Sequence, residues 1–448
     1  MNINYRDIIL RGSSMTIHVV QPGETLGSIA DQYKISADRL ILENGIENPD
    51  NLAVGQIIVI IQPLISHTVQ EGDTIFEIAD KYNVSPTQIY RNNPYLAEQE
   101  YIDPGESIVI SYDSIKVSPL VTSGYAYSFI SIEVLQKTLP FLTYLTVFNY
   151  RQTMEGDIID VDDQEIIDMA KEYGVAPLMM VSTQTEQGVS SLETAITLLN
   201  RPDLQDRLID NIVEVLKRKG YYGLNQFFQF YNVENQELYL SYVEKLSERL
   251  KREGFPLIIT ITPREHIDGV EGELQEADYS LITQYADALT LLTYNWGYSY
   301  GPPASATPVN LLSQVIQNVI KTVPADKVLL GLPVIGYDWP LPYVPGVTKA
   351  NAITPMIAII IAAINGVEIQ YCEFSQAAYF FYNVNHQKLH NVWFKDARSI
   401  SAISKLVPQN GLGGLSIWNI MYFNAQMWFI LNNLYDIERM EYLGEIKD

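Results

Sequence analysis

The chain has 448 residues, 47% of them hydrophobic, and a formal charge of −24. That length suits two or three domains, and the hydrophobic content is ample for packed cores and argues against wholesale disorder. The charge argues against nucleic acid or an anionic bilayer as partner, because like charge raises the cost of approach, whereas a neutral ligand pays no such penalty. The lone cysteine, Cys372, excludes an intrachain disulfide and a thiolate cluster. The five histidines are scattered, with His386 and His390 in an expected hairpin, so neither a metal site nor a cofactor is implied.

Residues 1–15, MNINYRDIILRGSSM, lack an apolar run long enough for a secretory signal and read as an N-terminal extension. An internal repeat follows. IHVVQPGETLGSIADQYKIS at 17–36 recurs at 66–85 as SHTVQEGDTIFEIADKYNVS, an offset of 49. His18/His67, Gly23/Gly72, Thr25/Thr74, Ile29/Ile78, Ala30/Ala79 and Tyr33/Tyr82 coincide. Each unit predicts a short strand, a turn with Gly and an acid, then a helix with apolar residues at i and i+3 or i+4. A second helix ends near Asn44 or Asn93, and closing strands begin at Gly55 and Gly105.

This βααβ order resembles LysM modules, expected at 16–62 and 65–112. The resemblance implies binding of N-acetylglucosamine-containing chains, in peptidoglycan or chitin. It assigns the sugar groove to Gly23, Glu24, Thr25, Leu26, Asn51 and Leu52, and in the second copy to Gly72, Asp73, Thr74 and Ile75. On the residues alone, Gly and Thr also suit a tight turn and a helix cap.

Beyond residue 118, strand-like runs at 123–130, 144–150, 176–182, 223–230, 256–262, 288–295, 328–336 and 412–418 alternate with helical segments. Eight such strands predict a (β/α)8 TIM barrel over 118–440. Residues 343–400 read as an α+β insertion containing an apolar helix and a hairpin. The apolar run Met356–Ile364 is about half a membrane span and is expected to be a buried helix, so no membrane span is predicted.

KGYYGLNQFFQF at 219–230 resembles the fourth barrel strand of glycoside hydrolase family 18, which reads Gly-Tyr-[Asp/Tyr]-Gly-x-Asn-x-Asp-x-Glu. GYAYSFI, KEYGVAPLMMVST, LLTYNWGYSYGPP, KVLLGLPVIGYDWPLPYVPG and VWFKDARSI extend the likeness in order, most nearly to bacterial spore cortex-lytic N-acetylglucosaminidases with two N-terminal LysM modules. In that family the substrate's own acetamide attacks the anomeric carbon. A Glu protonates the leaving oxygen, and an Asp two residues earlier holds the acetamide. The resemblance puts Phe227 where that Asp belongs and Gln229 where the Glu belongs. Residues two apart on a strand share a face, so Asn225, Phe227 and Gln229 are expected to point inward together.

The resemblance also implies a sugar site of Asn225, Gln229, Tyr294, Asn295, Trp296, Asp338 and Trp418, with Tyr298 and Trp339 at strand ends on the same side. Asn295 is a further departure, since relatives often carry an acid there. The favoured reading is a peptidoglycan-binding protein with an inactive barrel, made in the mother cell without a signal peptide and deposited in the spore cortex or coat. Two alternatives stand beside it. One is an active N-acetylglucosaminidase with a relocated acid, for which Asp338 is the candidate. The other is a scaffold that binds spore coat proteins.

Overall fold

A computed structural model of the chain describes residues 15–184, 191–229, 231, 234–262, 278–293, 298–384 and 388–440. The first module pairs strand Thr16–Val19 antiparallel with Ile57–Ile60 and packs helices Leu26–Tyr33 and Ala37–Asn44 between them. The second repeats the order with Pro63–Thr68, Ile75–Tyr82, Pro86–Asn92 and Ser107–Tyr112. Repeated residues do repeated work. Asn44 donates to the Leu40 and Val59 carbonyls and accepts from the Val59 amide at 2.7 Å. Asn93 does the same with Ile89 and Val109. One buried amide thus ties the second helix to the closing strand in each copy, meeting the rule that buried polar groups are paired.

Eight parallel strands form the barrel: β1 (Ser118–Tyr127), β2 (Tyr144–Gln152), β3 (Ala176–Ser182), β4 (Gly223–Phe228), β5 (Leu257–Ile261), β6 (Ala288–Leu291), β7 (Val328–Pro333) and β8 (Gly414–Trp418). Each pairs with the next, and β8 returns to β1 through Gly414–Val121 to Ile417–Gly124, which closes the sheet. Close approach explains two glycines of β7 and β8. A Cβ on Gly331 would sit 2.4 Å from the Leu291 carbonyl oxygen, and one on Gly414 2.2 Å from that of Val121. The alternation of β4 is clear from its partners: Gln226 bonds Val181 and Tyr242 on the helix side, while Asn225 turns to the interior.

After β7 the chain builds a five-stranded antiparallel sheet from Gly336–Pro340, Asn351–Ile353, Gln370–Cys372, Ala377–Val384 and Lys388–Phe394. It begins upstream of residue 343, because Gly336–Pro340 joins this sheet instead of prolonging β7. Helix Pro355–Asn365 covers one face. Contrary to expectation this apolar helix is not buried all round. Pro355, Ala358 and Ala362 are buried, but Ile364 is 70% exposed and Met356 and Ile357 are also open. No helix among the described residues is long and apolar enough to cross a membrane.

The modules dock on the barrel domain. Gln426 donates to the Ile57 carbonyl at 2.7 Å, the Ile369 amide to Val54 at 2.9 Å, and Asn432 to Asn92 at 2.9 Å. Arg91 is buried against the Pro140 and Ile437 carbonyls, and burial lowers its guanidinium to about 9.

Candidate functional site

In the modules, the candidate turn residues are first of all structural. Thr25 caps its helix through a reciprocal box with Ser28, and Thr74 does so with Glu77. Glu24 accepts from His18 Nε2 at 2.9 Å and from the Gln21 amide at 2.7 Å, while His18 Nδ1 meets the Tyr33 hydroxyl at 3.2 Å. Asp73 repeats this with His67 at 2.7 Å and Gln70 at 2.8 Å, and His67 with Tyr82 at 3.1 Å. The Gln70 amide, then His67, hold the Asp73 carboxyl below its ordinary range. Gly23 and Gly72 have φ of +84° and +90° and face open space, the left-handed backbone that glycine adopts without cost. Gly23, Thr25, Asn51, Gly72 and Thr74 are exposed, and Leu52 and Ile75 half-buried. Leu26 departs from its assignment: it is buried in the first module's core, so its side chain is not offered to a sugar.

At the C-terminal mouth of the barrel, the expected inward row is only partly formed. Asn225 is 1% exposed, donating to the Tyr125 hydroxyl at 3.1 Å and accepting from Thr260 Oγ1 at 2.6 Å. Tyr125 and Thr260 are themselves 3.0 Å apart, and burial pushes the Tyr125 phenol up, so it stays neutral. This triangle spans β1, β4 and β5 and commits Asn225 to the barrel interior, a correction to its assignment as a sugar contact. Above it Phe227, 8% exposed, packs with Tyr125, Phe148, Met180 and Leu292. Trp418, half-buried, completes the layer at ring distances of 5.3 Å from Tyr125 and 5.0 Å from Phe148.

Strand β4 ends at Phe228, and Gln229 stands in the following turn. With Phe227 it lines a cavity of about 20 Å3, room for about one water, whose other walls include Ala195, Leu208, Tyr239 and Tyr242 of the surrounding helices. Tyr294, Asn295 and Trp296 lie outside the described residues. Glu234 and Glu237, beyond the strand, are exposed.

Asp338 is not at the end of β7 but within the insertion sheet. It is 5% exposed, accepting from the Tyr382 hydroxyl at 2.8 Å and from His390 Nδ1 at 2.8 Å. Trp339 is also displaced from its expected role: it is fully buried and donates to the Gly301 carbonyl at 2.8 Å. No local signal marks Tyr125 and Thr260 as partners of Asn225, nor His390 as partner of Asp338, because each pairing depends on strand order. Among the described residues no cluster suits a metal ion.

The glycosyl hydrolases family 18 profile matches residues 168–422, over half of the chain, and LysM domains match 18–60 and 67–111. The chain belongs to glycosyl hydrolases family 18. It is 33% identical to the cortical fragment-lytic enzyme of Bacillus subtilis over 429 residues, 94% of this chain and 99% of that protein. The spore cortex-lytic enzyme SleL of Bacillus megaterium has the same architecture, with a TM-score of 0.78 at 30% identity, covering 96% of this chain and 100% of that one. SleL of Bacillus cereus gives 0.76 at 26% identity, covering 95% and 99%. A family 18 member with two LysM domains is thus a glycan-directed protein, and β4 is the strand on which its chemistry is to be judged.

Proposed function

We propose that this chain binds the peptidoglycan of the bacterial spore envelope through its two LysM modules, and that its barrel does not cleave that polymer. One observation carries the reading: β4 offers Asn225, Phe227 and, in the turn beyond it, Gln229, with no carboxylate among them. An amide has no proton to give at any relevant pH, and loss of general acid catalysis alone costs roughly 10²–10⁴-fold. Phe227 offers no charge to a cationic intermediate and fills the space above Asn225 with its ring. Asp338 is held by two hydrogen bonds inside the insertion sheet, which weighs against a relocated acid.

In this reading the exposed Gly23, Thr25 and Asn51, with Gly72 and Thr74, hold the sugar, and the module bounds are 16–62 and 65–112. The protein is made in the mother cell and laid down in the cortex or coat, where its cortex-lytic relatives point. The test is incubation of the full chain with insoluble cortex peptidoglycan and with chitin oligosaccharides, followed by mass spectrometry of the supernatant. The chain is expected to sediment with the polymer and release nothing. Soluble products ending in N-acetylglucosamine would overturn the reading.

A further inference from the structure

A groove of about 930 Å3 runs between the two modules and the barrel domain. Its size is at the upper end of small-molecule and cofactor sites, about 300–1,000 Å3. Its aliphatic lining comes from Leu42 of the first module, 52% exposed, and from Met356, Ile359 and Ile360 of the insertion helix. Its charged lining is Asp38, Arg39, Glu43, Glu47, Glu106 and Lys137. Lys137 is paired with Glu98 at 2.5 Å and Arg39 with Glu43 at 3.4 Å, while Asp38, Glu47 and Glu106 form no ion pair among the described residues. The groove is therefore negative as well as apolar.

Glu43 carries one oxygen that module packing does not account for. Its side chain is 7% exposed. Oε1 accepts from the Tyr112 hydroxyl at 2.7 Å and from Arg39, but Oε2 is buried with no hydrogen-bond partner. Burial pushes the carboxyl up to about 7. A buried acceptor left unmet costs about 1–3 kcal/mol. The repeat shows that the fold does not need it, because the equivalent position in the second module is Asn92, which donates to the Ile110 carbonyl at 2.8 Å and accepts from Gln88 and Asn432.

We propose that this groove binds a short peptide bearing a free ammonium group, its aliphatic side chains against the insertion helix and its ammonium on Glu43. Oε2 is closed from water, so binding requires the Glu43 carboxyl to turn into the groove. An ammonium is preferred over a neutral donor because the three acids without an ion pair favour a positive charge. The proposal rests on the peptidoglycan reading in one respect: such a polymer carries peptides beside its sugars. Asn51, in the loop given to sugar, lines the same groove, so a chain held there delivers its peptide into it.

The experiment is calorimetric titration of the full chain with the N-terminally acetylated peptide Ac-L-Ala-γ-D-Glu-L-Lys-D-Ala, whose one ammonium is the lysine Nε, with its Nε-acetylated form, and with a peptide-free chitin oligosaccharide. The free-amine peptide should bind, and Nε-acetylation should weaken it about tenfold or more, the size of one charge-assisted hydrogen bond. Glu43→Gln keeps the shape and the Tyr112 contact and should weaken the peptide to the same degree. Ile360→Trp, which fills the groove from the other side, should weaken it as well, and neither change should alter oligosaccharide binding. Equal affinity for the free-amine and Nε-acetylated peptides, or no binding up to about millimolar peptide, would overturn the proposal. Because the peptide is free of sugar, its failure to bind would stand apart from the oligosaccharide titration, which tests the modules.

Discussion

The module turns and the barrel mouth are both places where a strand gives way to a loop, and they are finished in opposite ways. In the modules the polar side chains are spent on the turn itself, Glu24 on His18 and Asp73 on His67, while Gly23, Thr25, Gly72 and Thr74 stay at the surface. At the mouth, the polar Asn225 is bonded into the interior, and Phe227 and Trp418 close over it. In the proposed reading, a binding surface built on turn geometry works because its side chains hold a shape. A catalytic site needs particular groups, and in the proposed reading its positions on β4 carry an apolar ring and an amide.

The largest effect is expected at the mouth. If Phe227 is a core residue, Phe227→Ala removes a buried ring and should cost about 3–5 kcal/mol in urea unfolding. A change within about 0.5 kcal/mol, the size of a surface substitution, would make the mouth an open cleft and break the contrast.

The next concerns Glu43, where the first module departs from the second. Its folded pKa is raised to about 7 from an ordinary 4.5, so between those values the folded chain holds a proton that the unfolded chain has lost. Stability therefore falls as pH rises through this window. Glu43→Gln removes that slope, with a gain of up to about 3 kcal/mol near pH 8 that vanishes near pH 4, read from paired urea titrations. A gain independent of pH would show that the carboxyl is not the source.

The smallest effects sharpen the likeness of the two modules. Thr25→Ala and Thr74→Ala each lose one helix cap and should each cost about 1 kcal/mol. Hydrogen exchange should place the loss in Leu26–Tyr33 and Ile75–Tyr82 respectively. Unequal losses would mean that only one copy relies on its cap.

Much of this was legible in the sequence because it is local or periodic. The offset repeat announced both modules, and eight alternating runs announced the barrel. The strand bounds were less so: β4 stops at Phe228, two residues short of 230, which leaves Gln229 in the turn beyond it. Asn225 met Tyr125, a hundred residues away, and Thr260 only once the barrel had closed. Asp338 lies away from the barrel mouth because the chain switches after β7 into the insertion sheet, where His390 and Tyr382 bond it. The intermodule groove was invisible, since its lining comes from three separate parts of the chain.

The central claim is that glycan is held by the modules and not at the mouth, and the chain carries its own reporter for it. All five tryptophans, Trp296, Trp339, Trp393, Trp418 and Trp428, lie in the barrel domain, and none lies in the modules. An N-acetylglucosamine oligosaccharide should be titrated while heat and tryptophan fluorescence are followed together. The account predicts saturable heat with the emission unchanged. Emission that shifts in step with the heat would put the sugar on the barrel and contradict it.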